Sequence, residues 1–213
     1  MKQYDCYLFD FDGTIMDTEK SIKSCVMYAL NFYGIEENDP KNLDGFIGPP
    51  LLYSFKHFYG ATDELAERLI KKYREKYSEN GCLDCSLYDG VVEVFEKLKE
   101  QGKKIAIASS KPTIFVEKIS KHFDIYKYFD AVSAEDLDKS NSGKKALIEN
   151  ALKLLSCTDK SKALMIGDRY LDIEGAKAAG VDSAGAVYGF GSEDELKKAG
   201  ADYLLYDVRK LLC

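Results

Sequence analysis

A chain of 213 residues suffices for one large domain, or for a core domain that carries a smaller inserted one. Apolar residues make up 46% and charged residues 31%, with 4 prolines, the balance of an ordinary water-soluble globule rather than a disordered or fibrous chain. Acidic side chains outnumber basic ones 36 to 30, a formal charge of −6 that argues against a nucleic-acid backbone as partner, and no apolar run approaches the ~20 residues that span a bilayer.

The opening MKQYDCYLFD carries Asp5 inside its apolar stretch and has no small-residue cleavage pattern, so a signal peptide is not expected. Six cysteines (Cys6, Cys25, Cys82, Cys85, Cys157, Cys213) are scattered, several within apolar runs, as reduced thiols of a cytoplasmic protein would be. Cys82 and Cys85 form one CxxC with no second pair or nearby histidine, which leaves a zinc site two ligands short.

YDCYLFD (4–10) reads as the first strand. Helical patterns follow near 18–33, 50–59 and 63–79, separated by Gly34, Gly60 and Gly81. In the first of these, Ile22, Val26, Ala29, Leu30 and Tyr33 share one face. Residues 16–88 therefore form a helical block inserted behind the first strand, with Met16–Asp17 and Tyr88–Asp89–Gly90 as its two connections. From there strands at 104–109, 129–134, 163–168, 182–187 and 202–206 alternate with helices near 90–101, 112–122, 144–155, 171–179 and 192–199. Such alternation implies βαβ units and a parallel sheet. Gly102, Gly180 and Gly200 sit where a left-handed residue ends a helix, and Pro112 where a first helical turn begins. The expected fold is α/β: a Rossmann-like parallel-sheet core of residues 1–15 and 89–213, with an α-helical domain at 16–88.

Ligands of open parallel sheets bind outside the carboxyl ends of the strands. There the first strand delivers Asp10, Phe11, Asp12, Gly13 and Thr14; another delivers Ser109, Ser110, Lys111 and Pro112; a third delivers Gly167 and Asp168, with Asp172 four residues on. Any one of these acids or hydroxyls could simply cap a helix or make a turn, but that reading accounts poorly for the set. Asp10 and Asp12, two apart, project to the same side of an extended chain. Two carboxylates so close separate in pKa, which suits one as nucleophile and the other as acid/base. Asp168 and Asp172 share a helical face, and a site of several carboxylates fits Mg²⁺. Lys111 and Lys144 both fall in an expected first helical turn, where the macrodipole disfavours a cation, so an anion bound there would explain them. Lys144 is preferred to its neighbour Lys145 on the geometry of the site.

DFDGT, a serine at the end of the next core strand, a lysine at a helix start and GDxxxD (Gly167-Asp168 to Asp172) together resemble the haloacid dehalogenase superfamily of phosphatases, over nearly the whole chain and in the same motif order. The family's common Lys-Pro is here Lys144-Lys145. FIGPPL (46–51), VYGFGS (187–192) and AGADYLL (199–205) resemble its phosphoglycolate phosphatase and 5′-nucleotidase-like group. The resemblance implies Mg²⁺-dependent hydrolysis of a small phosphorylated metabolite, with no nucleic acid or membrane as partner and with monomer or homodimer left open. Asp10 would attack phosphorus and bind Mg²⁺, and Asp12 would serve as acid and base and ligate through its main-chain carbonyl. Ser109, Ser110, Gly13, Thr14 and Lys144 would hold the phosphoryl group, Asp168 would ligate Mg²⁺ and Asp172 would support it. The helical block would be the family's cap. Asp12 excludes the dehalogenase branch, which lacks this acid. A phosphomutase on the same scaffold, or a binding module without turnover, are the rival readings, the second disfavoured because a binder needs no acid/base. His57 and His122 are expected as surface or packing residues, Tyr73 and Tyr77 as core, Arg169 as solvent-facing or paired with an acid, and 193–198 as a solvated helix face.

Overall fold

Tyr7, Leu8 and Phe9 leave strand β1 (Cys6–Phe9) with no polar face, and all its residues are buried. A strand of that kind belongs inside a parallel sheet. In the computed structural model, which describes residues 1–137 and 142–213, β1 lies third in a six-stranded sheet. After β1 come two short strands, β2 (Met16–Asp17) and β3 (Ser86–Leu87), then β4 (Lys104–Pro112), β5 (Ala131–Glu135), β6 (Ala163–Gly167), β7 (Asp182–Ala186) and β8 (Tyr203–Leu205). The sheet order is β5-β4-β1-β6-β7-β8, and every paired neighbour is parallel.

The chain divides into two compact units, Met1–Asp17 with Leu87–Cys213, and Thr18–Ser86. In the first, the side-chain alternation of β1 sends Cys6 and Leu8 to one face of the sheet and Tyr7 and Phe9 to the other. Against the Leu8 face pack Leu147, Ile148, Ala151 and Leu152 of α6 (Gly143–Leu154) and Ala176 and Ala179 of α7 (Tyr170–Ala179), together with Ala106, Ala108 and Met165 of the neighbouring strands. On the other face Phe9 meets Phe95 of α4 (Val91–Glu100) edge to face, ring centroids 5.2 Å apart. The remaining helices of this unit are α5 (Thr113–His122) and α8 (Glu193–Ala199). Each fully buried side chain of this size contributes ~1.5–3 kcal/mol relative to leaving it exposed.

In the second unit, α1 (Glu19–Phe32) buries Ile22, Cys25, Val26, Ala29 and Leu30 and packs against α3 (Asp63–Glu79), which buries Ala66, Leu69, Tyr73 and Tyr77. Thr62 starts α3 by accepting a hydrogen bond from the Leu65 amide at 3.3 Å, with Asp63 and Glu64 favourably placed in the first turn. Between them α2 (Leu51–Tyr59) sets Phe55 against Phe46, centroids 4.7 Å apart. Tyr73 and Tyr77 stack at 5.2 Å within the core, and His57 stacks on Tyr53. The unit is not wholly α-helical: Pro40–Phe46 and Gly81–Leu83 are 3₁₀ turns, the former begun by Asp39 accepting from the Lys41 amide. None of the six cysteines is in a disulfide. No helix among the described residues is long and apolar enough to cross a membrane.

Candidate active site

The register of the sheet places the chemistry. Phe9 stands opposite Ile107 of β4 and Ile166 of β6, so Asp10 comes beside Ala108 and Ser109 of β4 and beside the end of β6 at Gly167. Asp10 continues from β1 and is tied to β6 by its amide, which donates to the Ile166 carbonyl at 2.8 Å. Asp168 follows β6, and Asp172 lies in the first turn of α7. Strand order reverses about β1, with β4 and β5 to one side and β6 to β8 to the other; this is the crevice where ligands of open parallel sheets sit.

Ligand oxygens of Asp10, Asp168 and Asp172 all lie within 4.8 Å of one another. Lys144, in the first turn of α6, reaches in from the next helix: its Nζ is 2.9 Å from Asp10 Oδ1, 2.7 Å from Asp172 Oδ1, and donates to the Ala108 carbonyl at 3.2 Å. Lys145 is exposed and faces Glu149 instead. Asp168 accepts from the Phe190 amide at 2.9 Å and from Thr14 Oγ1 at 3.4 Å, and Asp172 accepts from the Arg169 amide at 3.0 Å. Gly13 makes this packing possible. Its φ of +77° is disfavoured for side chains, and a Cβ would come 2.1 Å from Asp168 Oδ2.

Burial dominates the electrostatics. It pushes the Asp168 carboxyl up to about 8, with the charges of Asp10 and then Asp172 adding to the rise. Asp172 is raised to about 6 by the same desolvation, against the opposing pull of Lys144. For Lys144 burial acts downward, yet Asp10 and Asp172 outweigh it and hold the ammonium above its ordinary value. Three acids are thus crowded together with one lysine among them. Asp172 Oδ1 is buried, and the Lys144 ammonium 2.7 Å away is the charge set against it. An oxygen of that kind, beside two more carboxylates, fits a hard divalent cation such as Mg²⁺, which takes oxygen ligands.

Asp12 is not part of the three-carboxylate group; its two oxygens accept from Lys111 Nζ at 2.9 and 3.0 Å. Lys111 requires a correction: it belongs to β4, which runs on to Pro112, and α5 begins only at Thr113, so no first-turn dipole acts on it. The signal was available, because a residue before proline is biased toward extended backbone. Ser109 is buried at the mouth of the site and accepts from the Lys111 amide at 3.2 Å, whereas Ser110 is exposed. Thr14 is fully buried, and its carbonyl accepts from Tyr188 at 3.1 Å. Arg169 pairs with Glu195 at 2.9 Å, and Cys85 donates to the Cys82 carbonyl. The loop after β7 was missed as part of the site, since its contribution, the Phe190 amide, is main chain. Glycines at 189 and 191, just beyond a strand's carboxyl end, are the sequence trace of that close approach: a Cβ on Gly189 would sit 2.2 Å from the Gly13 carbonyl.

Comparison with known proteins agrees with this arrangement. Residues 7–186 match the family model for haloacid dehalogenase-like hydrolases. A 5′-nucleotidase from Pseudomonas aeruginosa is 38% identical over 209 residues, covering 98% of this chain and 94% of that protein. A tyrosine-protein kinase, PtkA of Mycobacterium tuberculosis, is 31% identical over 191 residues, which is 90% of this chain but 65% of the kinase. The crystal structure of a candidate phosphatase from Clostridium difficile superimposes with a TM-score of 0.94 at 40% identity, over 100% of this chain and 98% of the other. Sheet, acidic cluster and relatives agree, and the chain belongs to the haloacid dehalogenase-like hydrolase family, as a phosphatase within it.

Proposed function

We propose that the protein hydrolyses a small phosphomonoester in two displacements, both through Asp10. One observation carries this reading: the Asp10 carboxylate ends the central strand with Lys144 Nζ 2.9 Å away and with the carboxylates of Asp168 and Asp172 gathered beside it. An Asp10 oxygen attacks phosphorus as the ester P–O bond breaks, and Asp12 gives its proton to the departing oxygen, leaving an aspartyl phosphate. Water then loses a proton to Asp12 and attacks the same phosphorus; the bond to Asp10 breaks and inorganic phosphate departs. Lys144 offsets the charge that collects on the phosphoryl oxygens, Ser109 and Ser110 hold them, and Gly13 and Thr14 shape the loop over them. Mg²⁺, held by Asp10, Asp168, Asp172 and the Asp12 carbonyl, supplies further charge neutralisation when bound.

In this reading residues 1–15 and 89–213 carry the chemistry, and residues 16–88 form a cap that chooses the leaving group. The name of the Pseudomonas relative directs attention to nucleoside monophosphates, and the resemblance of FIGPPL and VYGFGS to the phosphoglycolate phosphatase group adds small carboxylated esters. The test is phosphate release from a panel of nucleoside monophosphates, phosphoglycolate and sugar phosphates, with Mg²⁺ and with chelator. Metal-dependent release from at least one small monoester supports the reading. Release that survives chelation, or isomerised sugar phosphate in place of free phosphate, would contradict it.

A further inference from the structure

Lys111 has no assigned part in the displacements, yet its placement is unusual. Its side chain is 4% exposed, and its Nζ stands 5.7 Å from the centroid of the Phe11 ring. A buried ammonium is costly, and a buried ion pair adds little net stability over apolar side chains of the same size. Stability therefore gives no strong reason for a lysine here. The backbone makes a special provision for it: the pairing of β4 with β5 slips between Ser109 and Pro112, and an irregularity of this kind re-aims the side chains it carries. What Lys111 meets is Asp12, whose two oxygens accept from Nζ at nearly equal distances of 2.9 and 3.0 Å. An ammonium centred on both oxygens fixes where the carboxylate points. It also leaves the outer lone pairs free for a further proton partner, and the Asp12 side chain remains 30% exposed, open to one.

We propose that Lys111 is the positioning residue for Asp12, holding its carboxylate in one place so that the same group reaches the leaving oxygen in the first displacement and the attacking water in the second. This rests on the reading of Asp10 and Asp12 given above. It differs from a phosphate-binding role, in which Lys111 would contact the substrate directly. Positioning has a distinct kinetic consequence, because an aryl leaving group departs without a proton whereas the hydrolysis of the aspartyl phosphate still needs a base.

The experiment compares the wild-type protein with Lys111→Met, which preserves length and loses charge, and with Lys111→Arg, using p-nitrophenyl phosphate and an alkyl phosphate in rapid-quench assays. In Lys111→Met we expect a burst of nitrophenol followed by turnover ~10²-fold slower, the loss typical of a displaced catalytic group. Phosphate should accumulate on the protein, the alkyl ester should react slowly with no burst, and inhibition by inorganic phosphate should stay within a few-fold of wild type. Lys111→Arg, which keeps the charge and moves the nitrogen, should recover part of the second step. Phosphate inhibition that weakens in step with turnover would overturn the proposal in favour of direct substrate binding. Unchanged turnover of both esters would overturn it as well. Failure of the parent reading would show separately, as full activity in Asp10→Asn.

Discussion

Asp168→Asn should stabilise the protein in the absence of metal. The carboxyl is 1% exposed, and burial with the charges of Asp10 and Asp172 raises it from 3.8 to about 8. A folded-state value above the unfolded one means that the contribution to stability is fully present below about pH 4 and is lost as pH climbs toward 8. At 1.36 kcal/mol per unit, the whole span amounts to ~6 kcal/mol, of which ~2 kcal/mol falls between pH 6 and 8. Asp172 titrates in the same direction but near 6, so the upper half of that window reports mainly on Asp168. Asparagine keeps the shape and an acceptor for the Phe190 amide while removing the ionisation. Urea unfolding in chelator at pH 6, 7 and 8 is the assay. Wild type should lose ~2 kcal/mol across this range and Asp168→Asn should be much flatter. Saturating Mg²⁺ at one hundred times its dissociation constant should return ~2.7 kcal/mol to the wild type and far less to the variant. A wild-type curve flat from pH 6 to 8, or a variant as steep as wild type, would refute the reasoning.

Other perturbations probe neighbouring parts of the site. Lys144→Met removes a cation paired with both Asp10 and Asp172 and should destabilise the metal-free fold by ~3–5 kcal/mol in urea melts, with turnover lost too. Gly13→Ala places a Cβ against Asp168 at a positive φ and should cost ~1–3 kcal/mol while weakening Mg²⁺ binding measured by calorimetry. Substitutions in Gly48–Leu51 should shift preference among the substrate panel while sparing p-nitrophenyl phosphate; equal loss of every activity would instead make that segment part of the catalytic assembly.

The strands that carry the candidate site are legible because β1 is apolar without interruption and ends abruptly in DFDGT, and because ALMIG ends in the same manner at Asp168. Parallel strands in register then bring those ends together without any further information. Lys144 was legible by its position at a helix start. Pro112 signals a helix beginning and an extended residue before it at once, and in the fold the second signal governs Lys111. The partnership of Lys111 with Asp12 links residues 99 positions apart and depends on a local slip in strand pairing, which no periodicity encodes. The Phe190 amide is invisible for another reason: a main-chain donor has no residue type. The 3₁₀ turn at Pro40–Phe46 was also unread, although Asp39-Pro40 is a strong turn opening.

The central claim is that Asp10 becomes phosphorylated, and Asp12→Asn offers the most direct view of it. In that variant an activated aryl phosphate needs no proton on its leaving group, so Asp10 still attacks phosphorus and the nitrophenolate departs, but the following hydrolysis lacks its base and slows by ~10²–10⁴-fold. Mixing the variant with p-nitrophenyl phosphate and Mg²⁺, quenching in acid and measuring intact mass should show one added phosphoryl group. Peptide mapping should locate it at Asp10, and hydroxylamine should remove it. Phosphate on a serine or histidine, or none on the protein while nitrophenol continues to be released, would contradict the account.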